Sequence, residues 1–422
     1  MPFSHLGLHS DLLRGVETLG FTRPTPIQQQ AIPPALEGRD VLASATTGSG
    51  KTAAFVLPIL HRLAHKSPGT TRALVLTPTR ELAAQIEAHL NALARHTRSS
   101  GATVFGGVAM RPQEQAFRRG VDVLVATPGR LLDHLKHSYA ALRGLEVLVL
   151  DEADRMLDMG FLPDIRRILR QLPPRQQTLF FSATMPPAIV TLAQEMLSKP
   201  VLINLERRPA PNVGITHTVY DVAGELKSAL LVALLKRGDI RSVIAFTRTK
   251  HRADRLADYL VRHGVSAGRI HGNRSQAQRT QALAGFKAGA FPVLVATDIA
   301  ARGIDVESLS HVVNFDVPNS AEDYVHRVGR TARADAQGDA LLFVSPAEED
   351  QLRAIERSIG KRMPRATLAG FDYASRPPER LEVPLARRLA EMRARKPRGP
   401  ARFGARSAGR GGASRSPRAY AR

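Results

Sequence analysis

Val147-Leu148-Val149-Leu150-Asp151-Glu152 is the stretch on which the fold turns. A continuous apolar run with no polar alternation reads as a strand covered on both faces, and it ends abruptly in two carboxylates. The pattern recurs along the first half. Val41-Leu42-Ala43 leads into Gly48-Ser49-Gly50-Lys51, and Ala73-Leu74-Val75-Leu76 into Thr77-Pro78-Thr79-Arg80. Val123-Leu124-Val125 leads into Thr127-Pro128-Gly129-Arg130, and Leu179-Phe180-Phe181 into Ser182-Ala183-Thr184. Helical patterns lie between these runs. The reading is an α/β fold with a mostly parallel sheet whose carboxyl-end loops form the ligand edge.

The pattern repeats in the second half. Val243-Ile244-Ala245-Phe246 leads into Thr247-Arg248-Thr249, and Val293-Leu294-Val295 into Thr297-Asp298. Val312-Val313-Asn314-Phe315 and Leu341-Leu342-Phe343-Val344 complete a second set. Between the sets, residues 206–214 hold two prolines and no apolar period. We therefore expect a first domain over 1–205, a linker at 206–214, a second domain over 215–371 and a tail over 372–422.

Composition narrows the partners. The chain carries a formal net charge of +22, and residues 376–422 alone hold 14 Lys/Arg against 3 Glu. Charge clustered in this way points to a polyanion such as nucleic acid. The tail is rich in Arg, Gly, Pro and Ser and has too little apolar area to offset ordering, so disorder is expected, apart from a short basic helix over 381–396. There is no cysteine, which excludes disulfides and thiolate metal sites and fits a reducing cytoplasm. The fourteen histidines are dispersed, and none is assigned to zinc. No run of about 18 apolar residues is present, so no membrane association is expected. The opening Met1-Pro2-Phe3-Ser4-His5 lacks the charged start of a signal peptide.

Gly48-Ser49-Gly50-Lys51-Thr52 follows a strand and opens a helix. Glycines let backbone N–H groups curl around phosphate oxygens, Lys51 reaches the outer phosphates and the Thr52 hydroxyl ligates Mg²⁺. The strict phosphate-loop pattern has Gly where this chain has Ala45. A second signal is Asp151-Glu152, about a hundred residues on. There, one carboxylate can hold Mg²⁺, partly through water, and the next can position or deprotonate the attacking water. The pair of signals reads as an ATPase site.

The order of these segments closely resembles the DEAD-box RNA helicases over residues 3–345. Asp151-Glu152-Ala153-Asp154 is similar to the motif that names them, and Gly20–Gln28, with Phe3 as an isolated aromatic, to their Q motif. The resemblance implies two tandem RecA-like domains binding ATP and Mg²⁺. It places Gln28 on the adenine edge and Phe21 against the base, with Ala45, Thr46, Thr47, Gly48, Ser49, Gly50, Lys51 and Thr52 around the phosphates. It assigns nucleotide contact to Asp305 and coupling of ATP state to RNA to Asp154, Ser182, Thr184 and His326. It makes Arg330 and Arg333 arginine fingers that join Lys51, Asp151 and Glu152 in catalysis.

RNA contacts are implied at Pro78, Thr79, Arg80, Gly106, Gly107, Thr127, Pro128, Gly129 and Arg130 in the first domain. In the second they fall on Thr247, Arg248, Gln276, Arg279 and Thr297. Hydroxyls, glycines and arginines suit phosphates and 2′-OH groups, so little sequence preference is expected. Two positions depart from the family: Thr46 stands where members commonly have Gln, and Ala332 where they usually have Gly. The short N-terminus and basic tail look like the bacterial RhlE-type subgroup. The implied activity is RNA-stimulated ATP hydrolysis coupled to local, non-processive unwinding or to remodelling of RNA–protein complexes. Ribosome precursors and RNA-decay machinery are the expected settings. The rivals are an ATP-gated RNA clamp or annealing chaperone with little turnover, and a processive or DNA helicase.

Overall fold

The computed structural model describes residues 2–45, 48–64, 69–174, 176–205, 214–301, 306, 309–331 and 337–375. The predicted basic tail beyond residue 375 and linker residues 206–213 lie outside the described residues. Within the described residues there are two seven-stranded parallel sheets, each flanked by helices, in the tandem RecA-like arrangement.

The first sheet holds β1 (Val41–Ser44), β2 (Ala73–Leu76), β3 (Gly101–Val104), β4 (Val123–Ala126), β5 (Val147–Leu150), β6 (Gln177–Ser182) and β7 (Val201–Asn204). Their order is β3-β4-β2-β5-β6-β1-β7. The continuous apolar run has a direct packing cause. Val147 and Val149 join a core with Phe55, Phe181 and Ile27 on one face. Leu148 and Leu150 join Leu131, Met156 and Ile165 on the other. A strand buried on both faces has no position left for a polar residue. Each such Val or Leu contributes about 1.5–3 kcal/mol by leaving water.

The second sheet holds β8 (Ile215–Asp221), β9 (Val243–Thr247), β10 (Ala267–Ile270), β11 (Val293–Thr297), β12 (His311–Asn314), β13 (Gly338–Val344) and β14 (Arg365–Ala366). Its order is β10-β11-β9-β12-β13-β8-β14. The chain remains structured slightly past the expected end of this domain: the Tyr373 hydroxyl accepts from the Leu368 backbone N–H at 2.8 Å.

Register decides which loops meet. In the first sheet Leu76 pairs with Leu150 and Ala126, Leu150 with Phe180, and Ser44 with Ser182. The loops after β1, β2, β4, β5 and β6 therefore emerge along one edge. Parallel strands impose this, because every carboxyl end points the same way.

Candidate functional site

The loop after β1 ends at Gly50, whose φ of 94° is left-handed, and helix Lys51–Leu63 starts at the next residue. A Cβ on Gly50 would sit 2.6 Å from Gln28 Nε2 and 2.8 Å from Thr25 Oγ1, so the loop and helix Pro26–Leu36 approach too closely for a side chain. Gln28 explains the approach. Its Oε1 accepts from the Thr25 N–H at 2.9 Å and its Nε2 donates to the Gly50 carbonyl at 3.0 Å. The amide that the resemblance assigns to adenine is here engaged with backbone at both ends. Phe21 packs half-buried on the first core. Thr46 and Thr47 lie outside the described residues.

Lys51 is buried, and its Nζ donates to the Ala45 carbonyl at 3.0 Å. It also lies 4.0 Å from Asp151 Oδ1. Asp151 is fully enclosed, and burial pushes its carboxyl up to about 6, with Lys51 pulling the other way. Its Oδ1 has no hydrogen-bond donor. A buried carboxylate oxygen without a hydrogen-bond donor supplies the hard-oxygen chemistry that suits Mg²⁺. Among the described residues no group of three or more His, Cys, Asp or Glu is arranged to hold a metal. The remaining ligands would then be phosphate oxygens and water, as Mg²⁺ prefers.

Glu152 adopts φ 54°, ψ 52°, a left-handed conformation that costs a non-glycine residue about 1–2 kcal/mol. Its Oε2 accepts from Arg155 Nη1 at 2.9 Å, with both side chains buried. Asp154 faces β6. Its Oδ2 accepts from the Ala183 N–H at 3.2 Å, the Thr184 N–H at 2.8 Å and Thr184 Oγ1 at 3.0 Å. The Asp154 N–H donates to Ser182 Oγ at 3.1 Å. The expected coupling residues Asp154, Ser182 and Thr184 are thus one hydrogen-bonded unit. Thr184 Oγ1 also lies 3.4 Å from Glu322 Oε1, on the second-domain helix Ala321–Val328 that carries His326.

Two arginines of the segment 326–333 are described, and both line one pocket with Asp298, Asp323 and His326. Arg327 donates to both oxygens of Asp298 and to Asn314 and the Asp316 carbonyl, all within the second domain. Arg330 is buried beside a pocket lined by Asp298, Asp323 and His326. Arg333 and Asp305 lie outside the described residues, as do Arg302, Gly303, Ile304 and Ala332.

The expected RNA-contact residues gather at the strand ends. Thr79 caps helix Arg80–Leu93, and Thr127 precedes helix Pro128–Leu135 with Pro128 and Gly129 in its first turn. A Cβ on Gly107 would fall 2.0 Å from Arg80 Nη1, so the Gly106-Gly107 turn is the wall against which Arg80 lies. Arg130 Nη1 donates to the Val108 carbonyl at 3.0 Å on that same turn. Burial, followed by the nearby charge of Arg279, holds the Arg80 guanidinium below its ordinary value, with Arg130 adding to the effect. Arg279 comes from the second domain. Its Nη2 lies 2.9 Å from Glu81 Oε1, and Gln276 Nε2 donates to the same oxygen at 3.1 Å.

Several polar atoms here have no protein partner: Thr77 Oγ1, Gln276 Oε1 and Arg279 Nε. Thr247 Oγ1 lies 3.4 Å from the carbonyl oxygens of both Thr249 and Ala296, either of which can accept its one proton, and Thr297 closes β11 beside it. Arg248 turns away from the rest. Its Nη2 reaches the Val317 carbonyl at 3.3 Å, Glu348 at 3.4 Å and Gln351 at 3.2 Å. Glu348 in turn pairs at 2.5 Å with the buried Lys227.

Sequence reasoning passed over Arg155 and Glu322. Arg155 left a usable signal, since residues three apart on a helix are neighbours. Glu322 left none, because its partner lies 138 residues away in the chain. Asp298 was singled out by the resemblance, but its pairing with Arg327, 29 residues on, was not.

The DEAD/DEAH box helicase family matches residues 25–192, and the helicase conserved C-terminal domain matches 226–335. The DEAD-box ATP-dependent RNA helicase CshA of Bacillus cereus (strain ATCC 10987 / NRS 248) is 42% identical over 380 residues, covering 90% of this chain and 72% of that protein. RhpA of Helicobacter pylori (strain ATCC 700392 / 26695), also named as a DEAD-box ATP-dependent RNA helicase, is 43% identical over 357 residues, covering 85% and 72%. Among solved structures, S. cerevisiae Dbp5 bound to RNA and ADP BeF3 superposes with a TM-score of 0.78 at 31% identity, covering 86% of this chain and 95% of that one.

Proposed function

Because the chain belongs to the DEAD-box ATP-dependent RNA helicases, we propose that it unwinds short RNA duplexes locally, or remodels RNA–protein complexes, by closing its two RecA-like domains on ATP and RNA. The observation that carries this reading is the Thr184 hydroxyl, shared between Asp154 of the acidic strand end and Glu322 of the opposite domain. It links the nucleotide side of one domain to the helix that leads into Arg330 on the other.

In this reading Lys51 leaves the Ala45 carbonyl for the outer phosphates, and Gly48, Ser49 and Gly50 offer backbone N–H groups to them. Thr52 and Asp151 hold Mg²⁺, partly through water. An ion held there would neutralise charge on the phosphates. Glu152 orients the attacking water and accepts its proton. Arg330 and Arg333 reach the γ-phosphate from the second domain, and Asp305 contacts the nucleotide. Turnover then comes from positioning and electrostatic stabilisation, with no covalent enzyme intermediate.

The unpartnered Thr77, Gln276 and Arg279 atoms supply donors and acceptors that a sugar–phosphate backbone would satisfy. Contact with 2′-OH groups there favours RNA over DNA. For Arg248, RNA contact requires exchange of Glu348 and Gln351 for a phosphate. We place the activity in the cytoplasm, on ribosome precursors or RNA in decay. The finer RhlE-type reading has the short N-terminus and basic tail in its support, while the relatives reported above carry CshA and RhpA names. A low-turnover RNA clamp has only the tail in its favour and the buried Lys51, Asp151 and Glu152 against it.

The test is RNA-stimulated ATP hydrolysis in Lys51→Ala and Glu152→Gln variants, together with unwinding of short RNA and DNA duplexes. Both variants lose turnover, and unwinding is confined to short RNA duplexes. Wild-type hydrolysis by Glu152→Gln would overturn the base assignment. Strong DNA unwinding, or rates independent of duplex length, would overturn the non-processive RNA reading.

A further inference from the structure

Five charged side chains are buried at the end of β5, in the helix that follows it and at the start of the helix after β1: Lys51, Asp151, Glu152, Asp154 and Arg155. Asp154 is met by the N–H groups of Ala183 and Thr184 and by the Thr184 hydroxyl, which leaves Asp151 and Glu152 to the two cations. Two adjacent carboxylates out of water repel each other, and each needs a compensating cation. Lys51 stands 4.0 Å from Asp151 on one flank, and Arg155 Nη1 donates to Glu152 Oε2 at 2.9 Å on the other. The two cations have different prospects once nucleotide binds. In the proposed function Lys51 would leave its carboxylate for phosphate, and Asp151 would serve the metal. Arg155 lies on helix Ala153–Asp158, away from the phosphate loop in the sequence, and is paired with the one carboxylate that must keep a fixed direction.

We propose that Arg155 is a positioning residue that holds the Glu152 carboxylate in the orientation from which it serves the attacking water. The inference rests on the Glu152 role proposed above. Three observations support it. Glu152 sits in a left-handed backbone conformation that a residue without φ > 0 preference keeps only when its surroundings hold it, and the Arg155 contact is part of that hold. The guanidinium fixes one carboxylate oxygen, which limits rotation of the group. The Arg155 backbone N–H donates to Asp154 Oδ1 at 3.0 Å, while Asp154 Oδ2 accepts from Ala183 and Thr184. The direction of Glu152 is thereby tied through a single helical turn to the segment that meets the second domain.

The test uses the full chain with ATP and a single-stranded RNA oligonucleotide. Nucleotide-competent sites are counted by titration with a fluorescent ADP analogue, so that turnover is expressed per folded site. Arg155→Met and Arg155→Gln both remove the cation. In whichever folds, kcat per competent site falls about tenfold to a hundredfold, the cost of a misplaced reacting group. KM for ATP and the affinity for RNA stay within about twofold. Arg155→Lys restores most of the loss. In a Glu152→Gln background, Arg155→Met causes no further loss, because the residue it positions is gone.

Unchanged kcat per site in Arg155→Met or Arg155→Gln overturns the proposal, as does an equal fractional loss in the Glu152→Gln background. If neither uncharged variant yields competent sites, Arg155 is a folding element and the proposal fails. Failure of the Glu152 reading shows separately, as wild-type turnover by Glu152→Gln alone.

Discussion

Arg327 Nε and Nη2 donate to the two carboxylate oxygens of Asp298, at 2.6 and 2.8 Å. This fork, completed by Asn314 and the Asp316 carbonyl, uses Arg327 as a strut between β11 and the helix Ala321–Val328. Breaking a buried pair by removing one partner costs about 3–5 kcal/mol. Arg327→Met is therefore expected to lower the unfolding midpoint in urea by a corresponding amount. Arg330→Ala should instead lower turnover by about 10³-fold, as loss of an arginine finger does. Unfolding curves and hydrolysis measured side by side decide it; undiminished stability in Arg327→Met would remove the distinction.

Gly50→Ala meets two obstacles at once: a left-handed φ of 94° and a Cβ placed 2.6 Å from Gln28 Nε2. The amide of Gln28 must move or the loop must open. Nucleotide affinity is expected to fall at least about tenfold, equivalent to 1.4 kcal/mol, with little change in RNA binding in the absence of nucleotide. Fluorescent-ADP titration gives the answer, and wild-type affinity would mean that the loop is not held by Gln28.

Glu81 of the first domain accepts from both Arg279 and Gln276 of the second. Glu81→Gln keeps the shape and removes the charge that attracts Arg279. The RNA concentration giving half-maximal stimulation of hydrolysis should rise about tenfold, the scale set by losing a charged hydrogen bond of about 1.5 kcal/mol. An unchanged RNA dependence would show that this contact does not bear on closure.

His134 is fully buried against Phe117 and the Tyr139 hydroxyl, with its Nδ1 3.0 Å from that oxygen. Burial, then the charges of Arg130 and His137, hold its pKa below the ordinary histidine value. A histidine depressed in the folded state is protonated first in the unfolded chain. Stability is therefore lost as pH falls through about 6.5, and the loss levels off below the folded-state pKa. Urea midpoints at pH 7.5 and 5.5 should differ less in His134→Gln than in the unchanged protein. An identical drop in both would assign the acid sensitivity to other groups.

Much of the fold was legible in the chain. Val147–Leu150 had to be a doubly covered strand because no polar residue interrupts it, and alternate residues do enter two different cores. The glycine loop and the acidic pair were legible as partners at one sheet edge, and the fold brings Lys51 within 4.0 Å of Asp151. Less legible was what each polar group does when no ligand competes for it. Gln28 bonds to Gly50, Arg248 to Glu348 and Gln351, and Arg155 to Glu152.

The sequence by itself determined the two α/β domains, the order of their motifs and the membership of the helicase family, since these follow from local patterns of apolar runs and loop residues. Only the tertiary structure decided how the arginines divide their work. Arg327 and Arg330 are three residues apart and both line the pocket at Asp323 and His326, where Arg327 is held by both carboxylate oxygens of Asp298. Glu81 and Arg279 are far apart in the chain and meet across two domains. Such partners are fixed by strand order and register, which bring distant loops to one edge, and a side chain's charge in the sequence carries no record of which opposite charge it will find there.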